Sequence, residues 1–123
     1  MPSRERVAAL ISMVEQGKYV EAIGEFYAED ATMQENAAPP RGGRDKLIEG
    51  ERRMLAAHKA ARTLPVDSLL VDGDYSVIRW VFIFTRHDGT SFRMEELAHQ
   101  RWRGDRIVEE RFYYDPAQLR RFI

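Results

Sequence analysis

Near residue 64 the spacing of apolar residues changes from helical to alternating, and that change limits the chain to helices followed by sheet. Downstream, three turn signals divide the sequence: Asp72-Gly73-Asp74, Asp88-Gly89-Thr90 and Gly104-Asp105-Arg106. The segments between them, 64–71, 75–87, 91–103 and 107–115, alternate with the period of two that sends successive side chains to opposite faces. Consecutive tight turns predict an antiparallel meander. Two of these strands are more than twice the usual length of ~5–6 residues. Strands that long must twist and curl.

Upstream, Val7, Leu10, Ile11 and Val14 recur at the spacing of one helix face, predicting a helix over 3–16 that stops at Gly17. A second helix over 19–27 buries Val20, Ile23, Phe26 and Tyr27. A short strand over 31–35 precedes a loop in which Pro39, Pro40, Gly42 and Gly43 break regular structure. A third helix over 45–61 carries the stripe Leu47, Ile48, Glu51, Met54, Leu55 and His58. After the last strand, Asp115 and Pro116 begin a short helix bearing Leu119 and Phe122. Helices first and strands second predict an α+β fold. The expectation is one domain over 1–123, with three N-terminal helices packed in a curled, mostly antiparallel sheet.

Composition excludes several classes. Apolar residues make up 44% and charged residues 32%, which is globular rather than disordered. A net charge of -1 with interspersed signs gives no nucleic-acid footprint. The chain has no cysteine, which excludes disulfides and thiolate metal sites and fits the cytoplasm. The N-terminal segment interrupts its apolar residues with charge, unlike a signal peptide. No run approaches the ~18 apolar residues of a membrane span.

Alternation also decides which side chains face inward. In 91–103 one face reads Arg93, Glu95, Leu97, His99, Arg101, Arg103 and must meet water. The other reads Phe92, Met94, Glu96, Ala98, Gln100, Trp102, so Glu96 and Gln100 enter with the apolar residues. A buried carboxylate without partners costs several kcal/mol. It must therefore pair with a cation or line a wet cavity. In 75–87 both faces are apolar, so both should be covered. Trp80 and Phe82 are assigned to a cavity, while Val77, Val81 and Ile83 face a helix or a second subunit. In the last strand alternation alone leaves the inward set open.

Three segments carry a resemblance: FYAEDATMQEN at 26–36, RWVF at 79–82 and ELAHQRWRGDRIVEERFYYDP at 96–116. With the element order, they make the chain resemble the nuclear-transport-factor-2-like superfamily, specifically its SnoaL-like polyketide cyclase branch. The resemblance implies a cone-shaped α+β barrel and favours Val108, Glu110, Phe112 and Tyr114 as inward. It leaves function open among isomerases, dehydratases, hydrolases, cyclases and binders. The general-base aspartate of ketosteroid isomerases would fall on Glu35, but their oxyanion-hole aspartate falls on Ala98 and their tyrosine near Leu10. Steroid isomerisation is thereby disfavoured. An aspartate of limonene-epoxide hydrolases falls on Phe112. SnoaL-type cyclases use an aspartate on a long strand, whereas here Asp72, Asp74, Asp88, Asp105 and Asp115 sit at turns or strand ends. A glutamate would have to replace it.

The catalytic candidates are therefore Glu35, Glu96 and His58. Trp80, Phe82, Gln100, Glu110 and Tyr114 are the ligand-binding candidates. Neighbouring buried carboxylates raise one another's pKa, so one can serve as acid and another as base. Each candidate has a structural alternative. Arg79 or Arg111 can pair with an inward glutamate, and His58 can be a hydrogen-bonded core histidine. No metal is expected, because His58, His87 and His99 lack ligand spacing. No cofactor is expected either, since PPRGGRD has neither phosphate-loop nor dinucleotide spacing. Three functions compete: an acid/base enzyme on a small, apolar, oxygenated molecule; a non-catalytic small-molecule binder; and a homodimeric interaction module using the outer sheet face. Carboxylates free in an open cavity favour the first. Carboxylates all tied to arginine favour the second.

Overall fold

A computed structural model describes residues 1–119. Helix α1 (Arg4–Glu15) starts where Ser3 accepts the Arg6 amide at 3.0 Å, and it buries Val7, Leu10, Ile11 and Val14. Gly17, at φ +79°, lets the chain turn into α2 (Tyr19–Phe26). The buried side of α2 is Tyr19, Ala22, Ile23 and Phe26, with Val20 half-buried at its margin. Strand β1 (Tyr27–Glu35) follows directly and starts earlier than the predicted 31. The loop after it is interrupted by a two-residue strand, β2 (Arg41–Gly42), before α3 (Arg44–Ala56).

Helix α3 stops five residues short of the predicted 61. The next segment becomes β3 (Ala60–Thr63), hydrogen-bonded antiparallel to the long strand β5 (Tyr75–Thr85). Ala60 and Arg62 are good helix formers, but the open edge of β5 offers them a ladder, and the tertiary partner overrides local propensity. The strand predicted over 64–71 shrinks to β4 (Leu69–Asp72), also on β5. Pro65 has no N–H to give to a ladder.

Strands β6 (Ser91–Arg103) and β7 (Arg106–Tyr113) complete the meander. The order is β2-β1-β7-β6-β5-β3, with β4 also on β5. All pairs are antiparallel except β1 with β7. The sheet is thus large, mixed and open rather than a closed barrel. A bulge leaves Val108 without a partner between Glu109↔Arg101 and Ile107↔Trp102. Both Ile107 and Val108 are consequently buried, a deviation from strict alternation.

The core lies between α1, α2 and the concave sheet face, where Phe26, Ile78, Ala98, Trp102 and Ile107 are fully or almost fully buried. A 3₁₀ turn (Pro116–Leu119) packs on β6. There the Gln118 side chain accepts the Glu95 amide at 2.8 Å and donates to its carbonyl at 2.9 Å, continuing the ladder beyond the end of β7. Phe122 lies outside the described residues. Among the described residues no helix is long and apolar enough to cross a membrane.

Candidate functional site

The concave face is built in cross-strand rungs, and register assigns each side chain its place. One rung is Ser76 on β5, Gln100 on β6, Glu110 on β7 and Met33 on β1. The next is Ile78, Ala98, Phe112 and Glu35. Trp80 opposite Glu96, Phe82 opposite Met94 and Phe84 opposite Phe92 follow in order. One end of the face is therefore polar and the other aromatic. Between this face and the helices lies a cavity of ≈ 530 Å³.

At the aromatic end the rings form a continuous wall. Trp80 stacks on Phe82 at 5.8 Å between centroids, Phe82 meets Phe84 at 5.8 Å, and Phe84 stacks on Phe92 at 5.3 Å. His58 closes the wall, 5.1 Å from Phe84. It does not sit on the helix face assigned to it, because α3 has already ended at Ala56. Its Nδ1 lies 2.9 Å from the Met54 carbonyl. A carbonyl only accepts, so Nδ1 carries the hydrogen and Nε2 is the ring nitrogen turned to other partners.

At the polar end Glu110 is 3% exposed and both its oxygens are engaged. The Tyr27 hydroxyl donates to Oε1, and Gln100 Nε2 donates to Oε2 at 2.6 Å. Burial pushes the Glu110 carboxyl up to about 7, while the hydrogen bonds from Tyr27 and Gln100 pull it down. Gln100 differs from its expected position on the cavity wall. It is fully buried beneath that wall, because its amide is consumed by Glu110 and by the Ser76 hydroxyl at 2.6 Å.

Glu96 stands between the two ends. Its carboxylate makes no hydrogen bond or ion pair among the described residues. Burial, then the charges of Glu110, Glu35 and Glu51, push it up to about 8. Neither candidate arginine reaches it. Arg79 turns outward to Glu95 at 3.0 Å and Asp67 at 3.1 Å, and Arg111 donates to the Asn36 carbonyl at 2.9 Å. Glu35 differs from expectation too. It lies on the cavity rim with a 44% exposed side chain, paired to Arg41 at 2.7 Å. Tyr114 lines the same cavity, and burial raises its hydroxyl pKa.

Three further residues belong to the site. Glu51 projects from α3 into the cavity, and burial raises its carboxyl pKa. Its place in the helix stripe was the available signal. Arg41 brings a cation to the rim. Tyr27 was read only as core, and nothing local marks it as the partner of a residue 83 positions away. Among the described residues no three histidine, aspartate or glutamate side chains are arranged to hold a metal ion.

The fold recurs in known proteins. The SnoaL-like domain family matches residues 7–110. A structure from Mesorhizobium loti, named for its likeness to SnoaL-like polyketide cyclases, is 23% identical, covers 93% of this chain and 100% of its own, and has a TM-score of 0.78. A protein of ketosteroid isomerase-like fold from Catenulispora acidiphila, in complex with trimethylamine, is 22% identical, covers 94% and 89%, and has a TM-score of 0.79. TerC co-crystallised with polyporic acid is 13% identical, covers 94% and 92%, and has a TM-score of 0.78. No curated protein matches the chain in sequence.

Proposed function

The chain belongs to the SnoaL-like domain family, and we propose that it performs carboxylate-based acid/base chemistry on a small, apolar, oxygenated molecule, of the cyclase, isomerase or hydratase/dehydratase type. The observation that carries this reading is the unpaired, half-buried Glu96 carboxyl beside Glu110 in one cavity. With pKa values pushed up to about 8 and about 7, the pair holds a proton at neutral pH while retaining a base. Glu96 takes the role of acid, and Glu110 that of base. Trp80, Phe82 and Tyr114 bind the apolar body of the substrate, and His58 Nε2 accepts from a substrate hydroxyl. Glu35, tied to Arg41, acts at the entrance rather than on the reacting atoms. Relatives of this fold hold trimethylamine and polyporic acid, which supports a small organic ligand.

The proposal extends to assembly and place. A homodimer pairs through the outer sheet face, where Leu97 and Tyr113 stand opposite one another and are 46% and 45% exposed. The protein works in the cytoplasm, without a cofactor.

Deuterium exchange at the carbon next to the carbonyl of 2-tetralone tests the chemistry. Wild type is expected to accelerate exchange, and Glu96→Gln or Glu110→Gln to slow it by about 10²–10⁴-fold. Exchange at the buffer rate in all three proteins, with 2-tetralone bound, leaves a non-catalytic binder.

A further inference from the structure

The polar end of the cavity contains a hydrogen-bond chain whose direction is fixed by chemistry. The Trp102 indole N–H can only donate, and it donates to Ser76 Oγ at 2.8 Å. The Ser76 hydroxyl hydrogen is thereby sent to Gln100 Oε1 at 2.6 Å. That orients the amide, whose nitrogen must face Glu110 Oε2 at 2.6 Å. The four side chains are between 0% and 3% exposed, so bulk water offers no alternative partners.

An amide nitrogen cannot accept a hydrogen bond. Oε2 therefore accepts from Gln100 in both charge states of Glu110, whereas the partner of Oε1 is a hydroxyl that can also accept, which favours Oε1 as the seat of the carboxyl proton. The partner of Oε1 is the Tyr27 hydroxyl. When Glu110 is ionised, Tyr27 donates to it. When Glu110 is protonated, Oε1–H donates to the Tyr27 oxygen, and the phenol hydrogen must turn elsewhere. Tyr27 lines the cavity, which is the direction left open.

We propose that Tyr27 is a further proton-delivering residue, presenting its hydroxyl hydrogen to a ligand oxygen in the cavity when Glu110 is protonated. This rests on the acid/base reading of the cavity given above. Once Glu110 has taken up a proton as base, the Tyr27 O–H bond breaks in the delivery step as the ligand O–H bond forms. The Glu110 Oε1–H bond breaks as Tyr27 regains a hydrogen. The ligand gains one proton, and Glu110 is left as a carboxylate held by Tyr27 and Gln100. Trp102, Ser76 and Gln100 are positioning residues that keep an N–H donor on Oε2 and so favour the proton on the Tyr27 side. The charged and titratable groups around the pair are Glu35 on β1, Arg41 on β2, Glu51 on α3 and Glu96 on β6. Arg44 on α3 also donates to the Tyr27 carbonyl at 3.2 Å. Burial and the adjacent Glu110 hold the Tyr27 pKa well above its ordinary range, so the phenol remains protonated throughout.

Carbon-13 NMR titration of Glu96→Gln protein, labelled at glutamate Cδ and tyrosine Cζ, tests the relay without a ligand and with Glu96 silent. Tyr27 Cζ and Glu110 Cδ are expected to titrate with one shared midpoint. Adding Tyr27→Phe should raise that Glu110 midpoint by about one pH unit, the worth of one hydrogen bond to a charge. Adding Trp102→Phe, or Ser76→Ala should the first fail to fold, releases the amide and should diminish the Tyr27 response. A Tyr27 signal that stays flat while Glu110 titrates overturns the relay, as does an unchanged response in the released variants. Infrared spectra of bound 2-tetralone separate the two readings. A carbonyl band that shifts to higher frequency as pH rises through the shared midpoint, and no longer shifts in Tyr27→Phe, supports delivery. If 2-tetralone binds at no pH, the acid/base reading fails and the delivery step fails with it. A bound carbonyl indifferent to pH removes only the role of Tyr27.

Discussion

Glu96 and Glu110 share one cavity, yet only Glu110 has hydrogen-bond donors to its charged form. Both carboxyls lie above their ordinary value of 4.5, chiefly through burial. The folded protein therefore keeps protons that the unfolded chain has released, and stability falls as pH rises from about 4.5 towards 8. Wild type is expected to lose stability across that window, on the order of several kcal/mol. Glu96→Gln should show a flatter profile in thermal denaturation at pH 5.5, 7 and 8.5. Coincident profiles would mean that Glu96 is not a buried titrating group. Alternation along residues 91–103 made Glu96 legible in the sequence, because a period of two leaves only two faces and one is rich in arginine. Tyr27 and Arg41 were not legible as site residues. Their roles come from strands and loops brought together by pairing, not from any local pattern.

At the scale of elements, most of the helices and all three hairpins follow from periodicity and turn chemistry. Two of the exceptions share one cause. Residues 60–63, helical by propensity, were captured by a strand edge, and the start of β1 was extended by β7. Long-range partners of this kind leave no trace in a short window. The same dependence appears at the other end of the ladder, where a side chain stands in for a strand. Gln118→Ala removes both hydrogen bonds to Glu95 and is expected to cost about 1–2 kcal/mol. Hydrogen exchange at the Glu95 amide should quicken by roughly tenfold, consistent with that loss. An unchanged exchange rate would show that the Gln118 side chain does not protect this edge.

Across the whole molecule, the outer sheet face mixes ion pairs with exposed apolar residues. Arg79, Arg93 and Arg101 are paired to Glu95 and Glu109, while Leu97, Tyr113 and Leu70 remain in water. Leu97→Lys places a charge at the centre of that patch. If two copies pair there, native mass spectrometry should show a dimer for wild type and mostly monomer for Leu97→Lys, with 2-tetralone binding retained. A dimer indifferent to this change would place the contact elsewhere. The parallel pairing of β1 with β7 carries a consequence for how the protein is made. The contact between Tyr27 and Glu110 spans 83 positions, and contacts between distant residues are slow to form. On a ribosome, the helices and the first strand must wait, exposed, until the last strand has been synthesised. The proton-handling end of the cavity is thus assembled only near the close of folding, and a truncated or stalled chain would lack the Glu110 side of it.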